Sequence, residues 1–562
     1  MTNRPWLDEY DSEVPREFEV EEVLLTTYLR RTAEAWPQRT AIVFQGARLS
    51  YDRLAHDVGR LSTALTRMGV VPGTRVAVHL PNLPQTVIAY YAALAAGAEV
   101  VLTNPLYTAP EIEHQWNDAD CRVAITTDFL FERTLRHMRE RVPVHDYIVA
   151  SIPEYLPFPQ RLLAPFVLRR KQPAMWARVT AEDGVHRFRE LVRRTPARPG
   201  PALEFEATAV LQYTGGTTGV SKAAVLTHRN LSANMQQVDA WFHGADQGQE
   251  VMLTCLPLFH CFGMTVGQNW AVARAMTMVL IPNPRDVEAL LNAISEEHVT
   301  IFPGVPALYN ALNQHPRIGS VDVSSIKSCI SGSAPIPAEV MRRFEELTGA
   351  TISEGYGLSE ASPVTHSNPT TGTRRPGWIG LPLPGTDSRI VDAESGTTDL
   401  PAGEEGELVV RGPQVMQGYW NKPEETALAL RDGWLFTGDL AVMSEDGFFR
   451  IVGRKKDMIN CSGFKVYPDE VDSVLVEHDA ILEAATIGVP DEAHGELVLS
   501  YVVLQPGQEL GVEGVREWCK QRLAPYKVPR RVEFLDELPK STVLKVLRRE
   551  LRELALRDSQ QS

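Results

Sequence analysis

Apolar runs and helix-periodic segments alternate along the first part of the chain. From Arg75, the run Val76 to Leu80 leads into a helix-like stretch with Pro84 near its start and Gly97 at its end, then into a second run, Val100 to Leu102. The pattern returns in the helical segment Glu111 to Ala119 and the run Val123 to Thr126, and Ala209 to Tyr213 reads as a further strand. Strands that alternate with helices pair in parallel and are covered by those helices, so the pattern predicts an α/β body.

Two stretches depart from it. Between Pro153 and Pro201 the chain is rich in Pro and Arg and its periodicity weakens, which predicts an insertion or long surface excursion. Within 158–171, Leu162, Leu163, Phe166, Val167 and Leu168 stand beside Arg161, Arg169, Arg170 and Lys171. That composition suits an anionic membrane surface and also a solvated excursion, with Pro165 expected to interrupt any helix. Beyond Gly453 a shorter unit follows, with strand-like Glu483 to Val489 and Leu497 to Leu504 and a helix from Val512 to Arg522. The expected division is 1–453 and 454–562.

A chain of 562 residues exceeds what one hydrophobic core organises, in keeping with that division. The formal charge of -15 excludes a general nucleic-acid binder, since backbone phosphates are held by clustered Lys and Arg. Six cysteines without CxxC spacing argue against a disulfide framework or a zinc site and fit a reducing cytoplasm. The acidic start (Asp8, Glu9, Asp11, Glu13) is unlike an export signal, and the longest apolar stretch, Val87 to Ala98, is too short to span a bilayer. The expectation is a cytoplasmic protein, at most peripheral on the inner face of the membrane; its oligomeric state is open.

The densest chemical signal is Thr214, Gly215, Gly216, Thr217, Thr218, Gly219, Val220, Ser221 and Lys222, directly after a predicted strand. Glycines let backbone N–H groups approach phosphate oxygens, threonine hydroxyls add donors and Lys222 supplies charge. The spacing is not that of a Walker A loop, and a polar turn would have the same enrichment without the placed lysine. Further on, Tyr356 offers a π-face for stacking, and Glu360 is a hard oxygen ligand suited to Mg²⁺ bound to phosphates. Asp439, beside Gly438, carries a carboxylate able to accept from two hydroxyls, and Arg454 is a further candidate. Taken singly, each has an ordinary structural reading: core aromatic, helix-start carboxylate, turn aspartate and surface arginine.

In order, Tyr213 to Asn230 (YTGGTTGVSKAAVLTHRN), Ser331 to Pro335 (SGSAP), Glu354 to Pro363 (EGYGLSEASP), Trp434 to Leu440 (WLFTGDL) and Gly453 to Glu470 (GRKKDMINCSGFKVYPDE) resemble five motifs of the adenylate-forming enzymes. Nearly the whole chain, from about Trp6 to Arg552, is similar to bacterial long-chain fatty acyl-CoA synthetases, with NPLY (104–107), GPQVMQGYW (412–420) and KKDMI (455–459) adding to the likeness. The resemblance implies a large N-terminal α/β body and a small mobile α+β C-terminal domain, and activation of a medium- or long-chain fatty acid to acyl-AMP followed by transfer to coenzyme A. It implies Lys545, Glu360 and Thr218 as catalytic groups. The nucleotide falls to Thr214 to Gly219 and Lys222, to Gly332, Ser333 and Ala334, to Gly355, Tyr356, Gly357 and Ser359, and to Asp439 and Arg454. An acyl pocket is implied at His260, Phe262, Gly263 and Met264, a coenzyme A tunnel at Ser462, Gly463 and Phe464, and a hinge at Lys456.

Three positions depart from the family pattern: Leu544 where Gly precedes the lysine, Ala223 where Gly follows the loop lysine, and Ser359 in place of Thr. If position 544 requires φ > 0, leucine there costs roughly 1–2 kcal/mol. The alternatives left open are a ligase for an aryl or other acid, delivery to a separate carrier, and a degenerate member that binds nucleotide without adenylating.

Overall fold

Arg75–His79, Glu99–Leu102 and Val123–Thr127 are neighbouring parallel strands, with Val76 opposite both Val100 and Val123. The helix Pro84–Ala95 between them starts on proline, whose missing N–H has no intrahelical partner at that position anyway. The turn after it uses Gly97 at φ +83°, where an added Cβ would meet Pro72 at 3.1 Å. The computed structural model describes residues 4–171, 173–214, 221–461, 464–491, 495–541 and 545–561.

Among these, the strands form four sheets. The first apolar runs lie in an eight-stranded sheet that includes the antiparallel hairpin Thr208–Thr214 and Lys222–Thr227, with Gly418–Tyr419 at the edge beyond it. A nine-stranded sheet carries Val251–Thr254, Ile301–Gly304, Ser328–Ser331 and Thr351–Gly357 in parallel, with Thr40–Phe44 and Ala47–Ser50 at one edge. A smaller antiparallel sheet contains Gly406–Arg411, Trp434–Met443 and Phe449–Arg454. One continuous core joins these layers and reaches Phe449.

The chain then enters a separate small unit. In Gly495–Leu504, Val498 and Val502 face a core with Val471, Leu475, Val515 and Cys519, while Leu499 and Tyr501 face another with Leu551 and Ala555. Period-two alternation thus buries both faces of this sheet, one under Pro468–Val476 and Val512–Lys520, the other under Arg548–Gln561. The large α/β body and the small α+β unit are therefore both present. The change between sheets falls in 455–458, after Arg454 and before Ile459–Cys461.

The stretch 153–201 corrects its expectation twice. An α-helix, Gln160–Lys171, runs through Pro165, because its inward face packs on the 3₁₀ turn Ile152–Tyr155. The end of the stretch belongs to the scaffold: Val185–Arg187 adds a parallel strand beside Asp146–Ala150, and Phe188 and Val192 enter the core. Among the described residues no helix is long and apolar enough to cross a membrane.

Candidate active site

The hairpin fixes the first part of the site. Thr214 and Lys222 are cross-strand partners, and Gly215, Gly216, Thr217, Thr218 and Gly219, between them in sequence, lie outside the described residues. Lys222 Nζ lies 5.3 Å from the centre of the Tyr419 ring. The Tyr419 hydroxyl donates to Glu360 Oε1 at 2.8 Å, so cation, ring and carboxylate form one line. Ala223 is fully buried in strand pairing with Tyr213, which gives its methyl group an ordinary core position.

Opposite stands a hydrogen-bonded set on the antiparallel sheet. Hairpin register places Asp439 across from Arg454, whose Nε lies 3.1 Å from Asp439 Oδ1. The Tyr356 hydroxyl donates to Asp439 Oδ2 at 2.5 Å. Each carboxylate oxygen keeps a second lone pair, so the buried Asp439 retains acceptor capacity beyond these two contacts. Beside it, buried Glu407 accepts from the Gly438 N–H and from Lys455 Nζ, each at 3.1 Å.

Ser331 ends a parallel strand, and the chain bends with Ser333 at φ +72°, exposed together with Ala334. A side chain larger than serine's small polar group is disfavoured there. Gly355 and Gly357 flank Tyr356 in the neighbouring strand, and a Cβ on Gly357 would stand 2.2 Å from the Pro363 carbonyl oxygen. Ser359 and Glu360 follow in a single 3₁₀ turn, pinned by Met416 N–H donating to the Glu360 carbonyl at 2.8 Å.

Of the residues read as an acyl pocket, His260 and Phe262 precede and Gly263 and Met264 open the buried π-helix Gly263–Trp270, a rare form frequent at functional sites. Gly263 has a backbone reason: a Cβ would lie 2.3 Å from the Pro257 carbonyl oxygen. Met264 is fully buried in the body core. The Phe262 ring packs against Gly332, and Thr265 Oγ1 donates to the Ser362 carbonyl at 2.6 Å, so this helix touches the base side directly. His260 Nδ1 accepts from the Phe262 N–H at 3.3 Å, which leaves the ring proton on Nε2 in the neutral form. Burial, and secondarily the nearby Lys545 charge, push the His260 pKa down to about 4, so the ring is neutral at pH 7.

Lys545 comes from the small unit. It is more than one-third exposed, yet enclosed by cleft walls that push its ammonium down to about 8; Arg454 adds to this, while Asp439 and Asp469 oppose it. Leu544 lies outside the described residues, as do Ser462 and Gly463. Phe464 is exposed and stacks on Tyr526 with ring centres 4.7 Å apart. Lys456 is exposed within the 455–458 connection, its pKa lowered by enclosure and by Arg454.

Sequence reading missed Tyr419, Glu407 with Lys455, and Glu354. The buried Glu354 carboxylate accepts from Ile336 N–H (3.3 Å) and Gly377 N–H (3.2 Å), and burial raises its pKa to about 7. Tyr419 and Glu354 stood inside segments that had been singled out, but an aromatic or an acid beside glycine carries no role until its partner is known.

The AMP-binding enzyme family matches residues 29–420, and the AMP-binding enzyme C-terminal domain matches 470–545. A long-chain-fatty-acid–CoA ligase of Bacillus subtilis is 44% identical over 98% of both chains, and one of Yersinia pestis is 39% identical over 98% of this chain and 97% of that one. The ATP-bound crystal structure of MatB from Rhodopseudomonas palustris superposes with a TM-score of 0.82 at 29% identity, over 95% of this chain and 99% of that one; its apo structure gives 0.72. Two family matches in order and likeness along almost the full length lead to one placement: the chain belongs to the AMP-binding enzyme family.

Proposed function

We propose that the protein joins a medium- or long-chain fatty acid to coenzyme A through an acyl-adenylate, with domains 1–453 and 454–562 alternating about Lys456. The observation that carries this is the meeting of Lys545, from the small unit, with Asp439 and His260 of the body and with Arg454 at the boundary in one electrostatic cluster. The full-length likeness to long-chain-fatty-acid–CoA ligases supports the choice of acid.

In the first step the fatty carboxylate attacks the α-phosphorus of ATP and pyrophosphate leaves. The loop from Thr214 to Gly219, with Thr218 and Lys222, holds the phosphates. Gly332, Ser333 and Ala334 face the adenine with Gly355, Tyr356, Gly357 and Ser359, and Asp439 and Arg454 hold the ribose. Two anions approach each other, so a delivered ammonium at Lys545 lowers the barrier by offsetting charge on the reacting oxygens. His260, neutral with its proton on Nε2, is a donor for the acid at the mouth of a pocket formed with Phe262, Gly263 and Met264.

In the second step the small domain turns, Ser462, Gly463 and Phe464 line the pantetheine path, the thiol attacks the acyl carbonyl and AMP departs. Domain rotation of this kind needs only a few residues to absorb the backbone change. Mg²⁺ fits as a companion of ATP. Among the described residues no cluster of three or more metal-ligating side chains exists, and Glu360 would be the carboxylate that holds a phosphate-bound Mg²⁺. The ion would neutralise phosphate charge. A cytoplasmic enzyme with peripheral contact to the inner membrane face through 158–171 completes the reading.

The test is pyrophosphate release with ATP and Mg²⁺ over fatty and aryl acids, with and without coenzyme A, beside Lys545→Ala. Release with fatty acids, with acyl-CoA formed only when coenzyme A is present, is expected. Release with aryl acids alone would move the substrate class, and no release with any acid would sink the two-step reaction.

A further inference from the structure

The helix Gln160–Lys171 is built inside out. Arg161, Ala164, Pro165 and Leu168 turn inward, whereas Leu162, Leu163, Phe166 and Val167 are exposed. Both sets follow helical spacing, so the outward face is a continuous apolar stripe, which Phe158 extends in the preceding turn. Phe158 and Phe166 are each 75% exposed. Of the fourteen large apolar side chains exposed among the described residues, five fall in 158–167, so the exposure is a patch and not scatter.

Beside the stripe opens a cavity of about 770 Å³ whose wall includes Arg48, Arg53, Arg161, Arg189 and Arg193. Arg48 and Arg53 are paired, with Glu297 and Asp57. Arg161, Arg189 and Arg193 form no salt bridge among the described residues; burial and then Arg161 and Arg193 lower the Arg189 pKa, against an opposing attraction from Glu154. Glu154 also lines the cavity, but its carboxyl is hydrogen-bonded by Gln85 and burial raises its pKa to about 7, which weakens it as a counter-charge. Three converging unpaired guanidiniums in a chain of net charge -15 call for an external anion.

We propose that Gln160–Lys171 lies in the surface of a bilayer containing anionic phospholipid, with its Leu, Phe and Val side chains among the acyl chains and a lipid phosphate held between Arg161, Arg189 and Arg193. The proposal deepens the peripheral contact read for 158–171 and does not need the ligase chemistry. Charge complementarity selects the occupant: the stripe is flanked by the cationic cavity and, at its C-terminal end, by exposed Arg169 and Arg170, the arrangement of an interfacial helix on an anionic leaflet. The cavity also includes Ile42, Phe44 and Leu49 at one edge of the nine-stranded sheet, whereas the adenine-side strand Thr351–Gly357 lies towards the other edge, so docking leaves the cleft open.

The experiment is flotation of the full-length protein with vesicles of phosphatidylcholine alone or mixed with phosphatidylglycerol. Wild type is compared with Leu162→Ser/Phe166→Ser and Arg161→Gln/Arg189→Gln. Binding to anionic vesicles should exceed that to neutral ones by about tenfold or more. The first variant should lose binding to both, and the second should bind both vesicles alike. Equal or absent binding of wild type to the two vesicles overturns the proposal. So does an oligomer that Leu162→Ser/Phe166→Ser converts to a monomer, which would make the stripe a contact between copies. Turnover of a soluble medium-chain acid should be unchanged in both variants. Anionic vesicle binding without turnover of any acid would uphold the docking surface and refute the ligase reading.

Discussion

The two walls of the cleft are finished to different degrees. On the body wall the charged groups already have partners: Asp439 with Tyr356 and Arg454, Glu407 with Gly438 and Lys455, and Glu360 with Tyr419. On the facing wall Lys545 has a pinned backbone, since its carbonyl accepts from Ser541 N–H at 2.7 Å, but among the described residues its ammonium has no ion pair. A wall whose dipoles are fixed beforehand binds without reorganising, while a charge brought in by a second domain acts only when that domain is in place. In the proposed reaction, binding and chemical assistance fall to different parts of the molecule.

Removing the delivered charge should have the largest effect. Lys545→Ala is expected to slow adenylation by about 10²- to 10³-fold, the range for loss of one transition-state stabilising group. ATP binding should stay close to wild type, and acyl-CoA formation from supplied acyl-adenylate should persist. Parallel loss of ATP affinity, measured by titration calorimetry, would break the contrast between the walls.

Asp439→Ala attacks the other wall. Loss of a charge-assisted hydrogen bond costs about 1.5–3 kcal/mol, so ATP affinity should fall roughly 10- to 100-fold. Both half-reactions should suffer, because AMP is held in each; a defect confined to adenylation would show that Asp439 serves the lysine and not the ribose.

A pH profile separates the walls without removing either. Enclosure lowers the Lys545 pKa to about 8, so the ammonium is present below that value and is lost as pH rises through it. Adenylation should therefore decline above about pH 8 while thioester formation does not share that limb. In Lys545→Arg the decline should vanish, since a guanidinium stays charged across that range. A decline common to both half-reactions would place the titrating group elsewhere.

Sequence carried the parallel layers, because buried strands leave short apolar runs, and it singled out the segment after Thr214, because Gly and Thr are concentrated there. It did not carry the joins. Tyr356 and Asp439 are 83 positions apart and meet only through the packing of two sheets. Tyr419 reaches Glu360 because Gly418–Tyr419 pairs with the strand Lys222–Thr227. The helix Gln160–Lys171 was hidden by Pro165 and by a stripe that faces solvent, since periodicity reports an apolar face without saying which way it turns. The crowding at Gly263 is likewise set by a carbonyl several residues away in sequence, invisible until the π-helix folds back on Pro257.

The smallest expected effect tests where the body wall meets the acyl side. A Cβ on Gly332 would stand 3.0 Å from the edge of the Phe262 ring, closer than carbon atoms pack, so the ring must shift by a few tenths of an ångström. Phe262 also donates its N–H to His260 and leads into the π-helix, so the displacement should pass to the acid before it reaches the nucleotide. Overpacking of this kind costs about 1 kcal/mol or somewhat more, which predicts a rise of roughly fivefold in KM for the fatty acid with little change for ATP in Gly332→Ala. Gly332→Ala/Phe262→Leu should recover most of it by vacating the ring edge. If KM for ATP rises instead and the double variant does not recover, Phe262 supports the nucleotide wall alone, and the acyl pocket must be sought away from His260.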